Sequence, residues 1–235
     1  MLRNGKVLLA DQILLLAVSG QRYTHRGDVF RGFQEDLPRI FPNQRFVFFD
    51  MLRELPLSCP LLWSEEEWGV DPRRRLLRNW GSLIQILNDR MKPQLQSGVI
   101  LIAHGFGLNL LLNAAVTPEF NLQQEAIDQV YEAQGGLVKI FLRDICPPEY
   151  IIMNADPEAV SARMAREKPL LEAIEPKTRM KFIRFEEAAI SEYFRRVPMQ
   201  KTPHYIDGTL DPSMMRRRSI EIIGRRIREW QKAAA

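Results

Sequence analysis

Apolar residues along this chain fall into short unbroken runs, separated by stretches in which they recur every three or four positions. Residues 13–19 (Ile-Leu-Leu-Leu-Ala-Val-Ser) form the first run, and residues 28–41 follow with Val29, Phe33, Leu37 and Ile40 at helical spacing. That order predicts strand, loop, helix. Residues 45–49 (Arg-Phe-Val-Phe-Phe) predict a second buried strand ending at Asp50. Residues 72–91 predict a long helix, with Asp71 as N-cap, Pro72 at its first position and a stripe through Leu76, Trp80, Leu83 and Leu87. Gly98 stops the chain before Val99-Ile-Leu-Ile102, an aliphatic run of the kind carried by a strand covered on both faces. The pattern then continues with helical stretches over 108–115 and 123–143, a strand at 150–153 and a helix opening at Asp156-Pro157-Glu158. It closes with a long helix over 177–196, a short strand at 204–206 and a final helix over 212–232.

Short strands alternating with helices predict an α/β fold. The expectation is one three-layer domain over residues 1–235, a five-stranded parallel sheet flanked by helices, because parallel neighbours need crossover connections. Ligands in such sheets bind beyond the carboxyl ends of the strands. Chemistry is therefore sought after Ser19, Asp50, Ile102, Met153 and Ile206.

The first of these ends has the frame of a phosphate-binding loop without its residues. Laid on Gly20, the pattern G-x-x-x-x-G-K-[ST] puts His25 at the second glycine, Arg26 at the lysine and Gly27 at the hydroxyl. Glycines let backbone amides approach phosphate, the lysine neutralises charge, and the hydroxyl binds magnesium. Arg26 keeps the charge, as a wider planar fork. Asp28 is expected as a helix cap that satisfies the amides a phosphate would use.

Composition narrows the classes. With 46% hydrophobic residues in 235 and 26% charged, the chain can bury one sizeable core and is not low-complexity. Its longest apolar run is far below the roughly 20 residues of a membrane span, so no membrane partner is expected. Two isolated cysteines, Cys59 and Cys146, supply neither a disulfide framework nor a zinc site. The acid-poor start, residues 1–26, serves either as a core strand in a cytoplasmic protein or as an address to an organelle such as the mitochondrion. The net charge of +4 gathers in Arg73-Arg74-Arg75 with Arg78, and in Arg216-Arg217-Arg218 with Arg225, Arg226 and Arg228. Such runs are either solvated helix faces or docking surfaces for an anionic partner, RNA or acidic protein. No aromatic RNA-recognition signature and no sequence-specific DNA motif accompanies them. Ala103-His104-Gly105-Phe106-Gly107 imitates the nucleophile elbow G-x-S-x-G, but glycine stands at the nucleophile, which removes the hydrolase reading.

Three blocks resemble the thymidylate kinase family, nucleoside-monophosphate kinases with the P-loop NTPase fold. Lys92-Pro-Gln-Leu-Gln-Ser-Gly-Val-Ile-Leu-Ile102 is similar to the family's K-P-A-L-x-x-G-x-x-V-I passage into the third strand. Pro148-Glu-Tyr-Ile-Ile-Met-Asn-Ala-Asp-Pro-Glu158 looks like its fourth strand and D-P-E helix start, with Arg163 and Arg166 on a lid segment, 163–178. Tyr205-Ile-Asp-Gly-Thr209, then Asp211-Pro212, is similar to the last strand and the approach to the final helix.

The resemblance implies an ATP- and magnesium-dependent dTMP kinase, usually a homodimer, and it also shows what this sequence lacks. The family's D-R-[YFH] at the third strand end falls on His104-Gly105-Phe106, and its S-x-x-A-Y-Q on Asn109, Leu112, Asn113 and Ala114. Trp80 stands in for the aromatic that stacks on the base, but the substrate arginine three positions on is Leu83. Arg53 is either a phosphate contact or a surface ion pair; Arg163 and Arg166 either reach a triphosphate or stay solvated. The reading is a kinase fold without its phosphoryl-transfer groups, retained for binding or structure. The alternative is a divergent active kinase in which Arg26 replaces the lysine and Asp50, Glu54 or Asp156 rebuild the metal site.

Overall fold

The computed structural model describes residues 13–55, 57, 59–114, 116–121, 125, 128–129, 132, 148–196 and 202–234. The strands are β1 (Leu14–Gly20), β2 (Arg45–Asp50), β3 (Val99–His104), β4 (Glu149–Asn154) and β5 (His204–Asp207). All pair in parallel, in the order β2-β3-β1-β4-β5. The described helices are α1 (Arg26–Ile40), α2 (Met51–Glu54), α3 (Glu65–Gly69), α4 (Pro72–Ile86), α5 (Leu108–Ala114), α6 (Pro157–Glu167), α7 (Pro169–Glu172), α8 (Pro176–Arg196) and α9 (Pro212–Ala234).

β1 explains the layering. Every residue of it is buried, and alternate side chains point to opposite faces. Leu15 and Ala17 join a core with residues of α4, α5 and α8; Leu14, Leu16 and Val18 join another with residues of α1 and α9. Burial of a leucine side chain contributes about 1.5–3 kcal/mol, so this central strand anchors both layers. The chain moves to one side of β1 for β3 and β2 and to the other for β4 and β5. That change of direction opens a crevice at the carboxyl ends of β1 and β4. No helix among the described residues is long and apolar enough to cross a membrane.

The sheet is the expected one, and the differences lie at element ends. β3 continues past Ile102 because Ala103 and His104 still pair with β1 and β2, although neither extends an aliphatic run. The helix expected over 72–91 is α-helical to Ile86 and closes with a π turn, Leu87–Met91. Its start agrees: the Asp71 carboxylate accepts the Arg74 N–H at 3.2 Å. α1 begins at Arg26, two residues before Asp28, because the His25 carbonyl already accepts the N–H groups of Asp28 and Val29. The helix expected over 123–143 lies outside the described residues apart from isolated positions, as do Cys146 and residues 1–12.

Candidate phosphate-loop site

The segment from β1 to α1 has the shape of an anion cradle although most of its glycines are gone. Gly20 sits at φ +133°, and a Cβ there would lie 2.1 Å from the Met153 carbonyl oxygen, so glycine is required. Tyr23 and His25 hold φ of 59° and 55°, left-handed conformations that cost a side-chain-bearing residue roughly 1–2 kcal/mol each. Alternation into the left-handed region turns successive N–H groups toward one concavity, as in phosphate-binding nests. Thr24, fully buried, pins the turn by donating its hydroxyl to the Gln21 carbonyl at 2.8 Å.

The charged groups around this cradle turn inward. Arg26, at the lysine position, is 7% exposed; its guanidinium donates to the Gly20 carbonyl and, with the Asn109 amide oxygen facing it, to Asn109 at 3.0–3.1 Å. Desolvation pushes its pKa down to about 10, with Glu186 opposing. Glu186 of α8 is fully buried and accepts both the backbone N–H of Arg22, at 3.1 Å, and the Arg22 guanidinium. Burial alone would lower the Arg22 pKa, but the Glu186 carboxylate, with smaller contributions from Cys59 and Tyr23, reverses this and holds the group above the ordinary arginine value. An acidic side chain of the protein therefore already sits against the loop. Asp28 is not the cap that was expected. The N-cap is His25, with no side-chain cap bond, and the half-exposed Asp28 carboxylate takes the His25 Nδ1 at 3.1 Å and Arg31 instead.

At the ends of β2 and β3, Asp50 and His104 meet. His104 Nδ1 lies 2.9 Å from Asp50 Oδ1, its ring stacks on Phe30 at 5.2 Å, and its buried Nε2 has no partner among the described residues. Burial pushes the imidazole pKa down, against the hydrogen bond to Asp50; burial also works to raise the Asp50 carboxyl, but the His104 hydrogen bond and charge together with the Arg53 and Leu52 N–H groups hold it below its usual value. Asp50 also caps α2 by accepting the Arg53 N–H at 3.2 Å. Gly27 faces His104, and a Cβ at Gly27 would lie 3.6 Å from Cε1, an ordinary contact. A hydroxyl side chain would fit there and is simply missing.

No family model matches the chain, and no curated protein matches it. Among solved structures, the crystal structure of thymidylate kinase from Ehrlichia chaffeensis aligns with a TM-score of 0.57 over 91% of this chain and 99% of that one. The fold is thymidylate kinase-like. At 14% identity the likeness concerns the thymidylate kinase-like fold alone, and the residues must be judged by where they stand.

They stand apart. Gly105 holds φ +79°, and a Cβ there would come within 2.7 Å of Leu52 Cγ, so the position leaves no path for a long cationic side chain while Leu52 stays in place. Phe106 and Trp80 are core residues, 1% and 5% exposed. Arg53 and Arg166 are exposed, on α2 and α6. Arg163 instead ties two loops, donating to the Tyr23 carbonyl at 2.6 Å and the Gly208 carbonyl at 3.1 Å. The segment 163–178 is fastened by Arg179, whose guanidinium donates to the carbonyls of Leu171, Glu172 and Ile174 at 2.6–3.2 Å. The carboxylates that could rebuild a magnesium site do not converge: Asp50 is held by His104, Glu54 pairs with Arg90, and Asp156 caps α6. With Gly27 bearing no hydroxyl, this donor set does not fit the ion.

Sequence reasoning missed Glu186, Arg22 and Arg179; Asn109, expected only as a failed motif position, and Arg75, expected on a solvated or docking face, are both buried. Arg75 is 4% exposed, lies 4.6 Å over the Trp63 ring and donates to the Val116 carbonyl at 3.2 Å. It lines a cavity of about 50 Å³ with Trp63, Arg78, Asn79 and Asn113 between α4 and α5. One signal was available: Arg179 and Glu186 occupy heptad positions on the seam of Phe182, Ile190 and Tyr193, where a charge must be paired to stay buried.

Proposed function

We propose that this chain is a catalytically inactive kinase homologue, in which a thymidylate kinase-like fold is retained for binding or for structure. The observation that carries the reading is Arg26: the cation at the lysine position donates into the Gly20 carbonyl and Asn109 instead of facing a ligand. Phosphoryl transfer depends on positioned positive charge and metal around the moving phosphoryl group. Here the hydroxyl falls on Gly27, the acid and arginine of D-R-[YFH] on His104 and Gly105, and the substrate arginine on Leu83, while Glu186 lies against the loop. On this reading the chain acts through a partner, either a second copy of itself, as the resemblance implies, or another macromolecule at its arginine-rich helices. ATP-dependent phosphorylation of dTMP is the test: we expect no product above background, and turnover at ~1 s⁻¹ or faster overturns the proposal.

A second reading is favoured by the cradle itself. Two residues persist in left-handed strain, and for the N–H groups of residues 23–25 no backbone acceptor appears among the described residues. On that reading the chain is a divergent dTMP kinase using ATP, whose magnesium would have to be held by the nucleotide phosphates rather than by this donor set. Calorimetry with both separates the two: heat of binding at millimolar nucleotide favours it, and none removes it.

A further inference from the structure

The arginines of α9 divide into two populations. Arg216 and Arg226 turn toward the body of the protein and are paired, with Asp36 at 3.1 Å and with the buried Glu149. Arg217, Arg218, Arg225, Arg228 and Lys232 are exposed. At 100° per residue these five fall within an arc of about 100° on the solvent face, opposite Met215, Ser219, Ile223 and Ile227, which are buried. They extend over about 22 Å at 1.5 Å per residue. Acidic groups face this stripe at Glu221, 3.5 Å from Arg217, and at Asp207, whose carboxyl feels the Arg218 charge.

We propose that the outer face of α9 is a docking surface for the sugar-phosphate backbone of RNA, bound without regard to sequence. Four of the five cations are arginine, whose planar fork matches phosphate oxygens. Strung over about 22 Å, the five cations can meet several successive phosphates of one strand. The apolar face of α9 is spent in the protein core, so the helix has no surface to bury in a bilayer, which separates it from a membrane-binding basic helix. No exposed aromatic ring lies on the stripe to stack on bases, hence a contact to backbone only. This names the macromolecule that the proposed function leaves open at the arginine-rich helices, and it stands whether or not the loop holds nucleotide.

The test is fluorescence anisotropy of a labelled mixed-sequence RNA 20-mer with the full chain across a salt series, beside a DNA 20-mer of equal length and anionic vesicles. Four to five phosphate contacts predict a log–log salt slope of about −3. Arg218→Glu with Arg225→Glu, both exposed, should weaken binding at least tenfold and lower that slope by ~1.4, with an unchanged circular dichroism spectrum. Arg216→Gln, on the inward side, should leave binding within threefold. No RNA binding at 50 mM salt, equal binding by the double variant, or preference for vesicles over RNA overturns the proposal. Equal affinity for the DNA 20-mer overturns the assignment to RNA.

Discussion

Removing the Glu186 carboxylate should be among the most damaging single changes in this protein that leaves its hydrophobic core intact. The Arg22 and Glu186 side chains are 11% and 1% exposed, and the guanidinium carbon also lies 5.5 Å over the Phe182 ring. In Glu186→Ala the guanidinium stays buried without its counter-ion, a defect that costs about 3–5 kcal/mol. The Arg22 N–H loses its acceptor as well, about 1–3 kcal/mol that overlaps with the first figure. A net loss of ~4 kcal/mol corresponds to a fall in Tm of ~10 °C for a chain of this length. Glu186→Gln, which keeps an acceptor oxygen, should lose about half as much. The decisive variant is the double change Arg22→Met with Glu186→Leu: replacing both charges with apolar groups of similar size removes the stranded ion and should recover most of the loss. Urea unfolding followed by tryptophan fluorescence measures all three. If Glu186→Ala lies within 1 kcal/mol of the parent, or the double variant is no more stable than the single one, the buried ion pair does not hold the loop.

Two further outcomes follow from the same neighbourhood. His104 has a folded-state pKa below its ordinary 6.5, so as pH falls below 6.5 the unfolded chain takes up a proton that the folded one refuses, and stability drops. The slope is at most ~1.4 kcal/mol per pH unit, and His104→Gln should flatten urea midpoints between pH 5 and 6.5; an unchanged slope refutes the assignment. Gly20→Ala should destabilise by about 3 kcal/mol or more, since its methyl meets backbone at 2.1 Å, whereas Gly27→Ser, with 3.6 Å to His104, should cost less than ~1 kcal/mol. Equal stability of the two variants would contradict the packing described.

Most of the sheet was legible because β1 to β4 are written around contiguous apolar runs, and the helix starts because Asp71-Pro72 and Asp156-Pro157 place caps beside prolines. The loop's position was legible too, from Gly20 and the spacing to Arg26. What surrounds the loop was not. Glu186 is 164 residues from Arg22 in sequence, and nothing local tells an inward glutamate from a solvated one. Asp28 misled for the opposite reason: its local rule for a helix start is sound, but the strained turn at Tyr23 and His25 advances α1 by two residues and leaves that carboxylate to bind His25 and Arg31. Trp80 fitted the apolar stripe and the base-stacking position equally well, and burial alone separates them.

Arg163 has a mechanical consequence. Its guanidinium joins the carbonyl of Tyr23 to that of Gly208, and the Thr24 side chain lies 3.0 Å from where a Gly208 Cβ would be. Three residues past Gly208, Asp211 receives the first N–H groups of α9. The cradle and the root of the last helix are thereby geared together: a shift in one must break the Arg163 bridge or drag the other along. A methyl added at Gly208 would meet the Thr24 side chain at 3.0 Å, so the loop and the turn that leads into α9 pack with no room to spare.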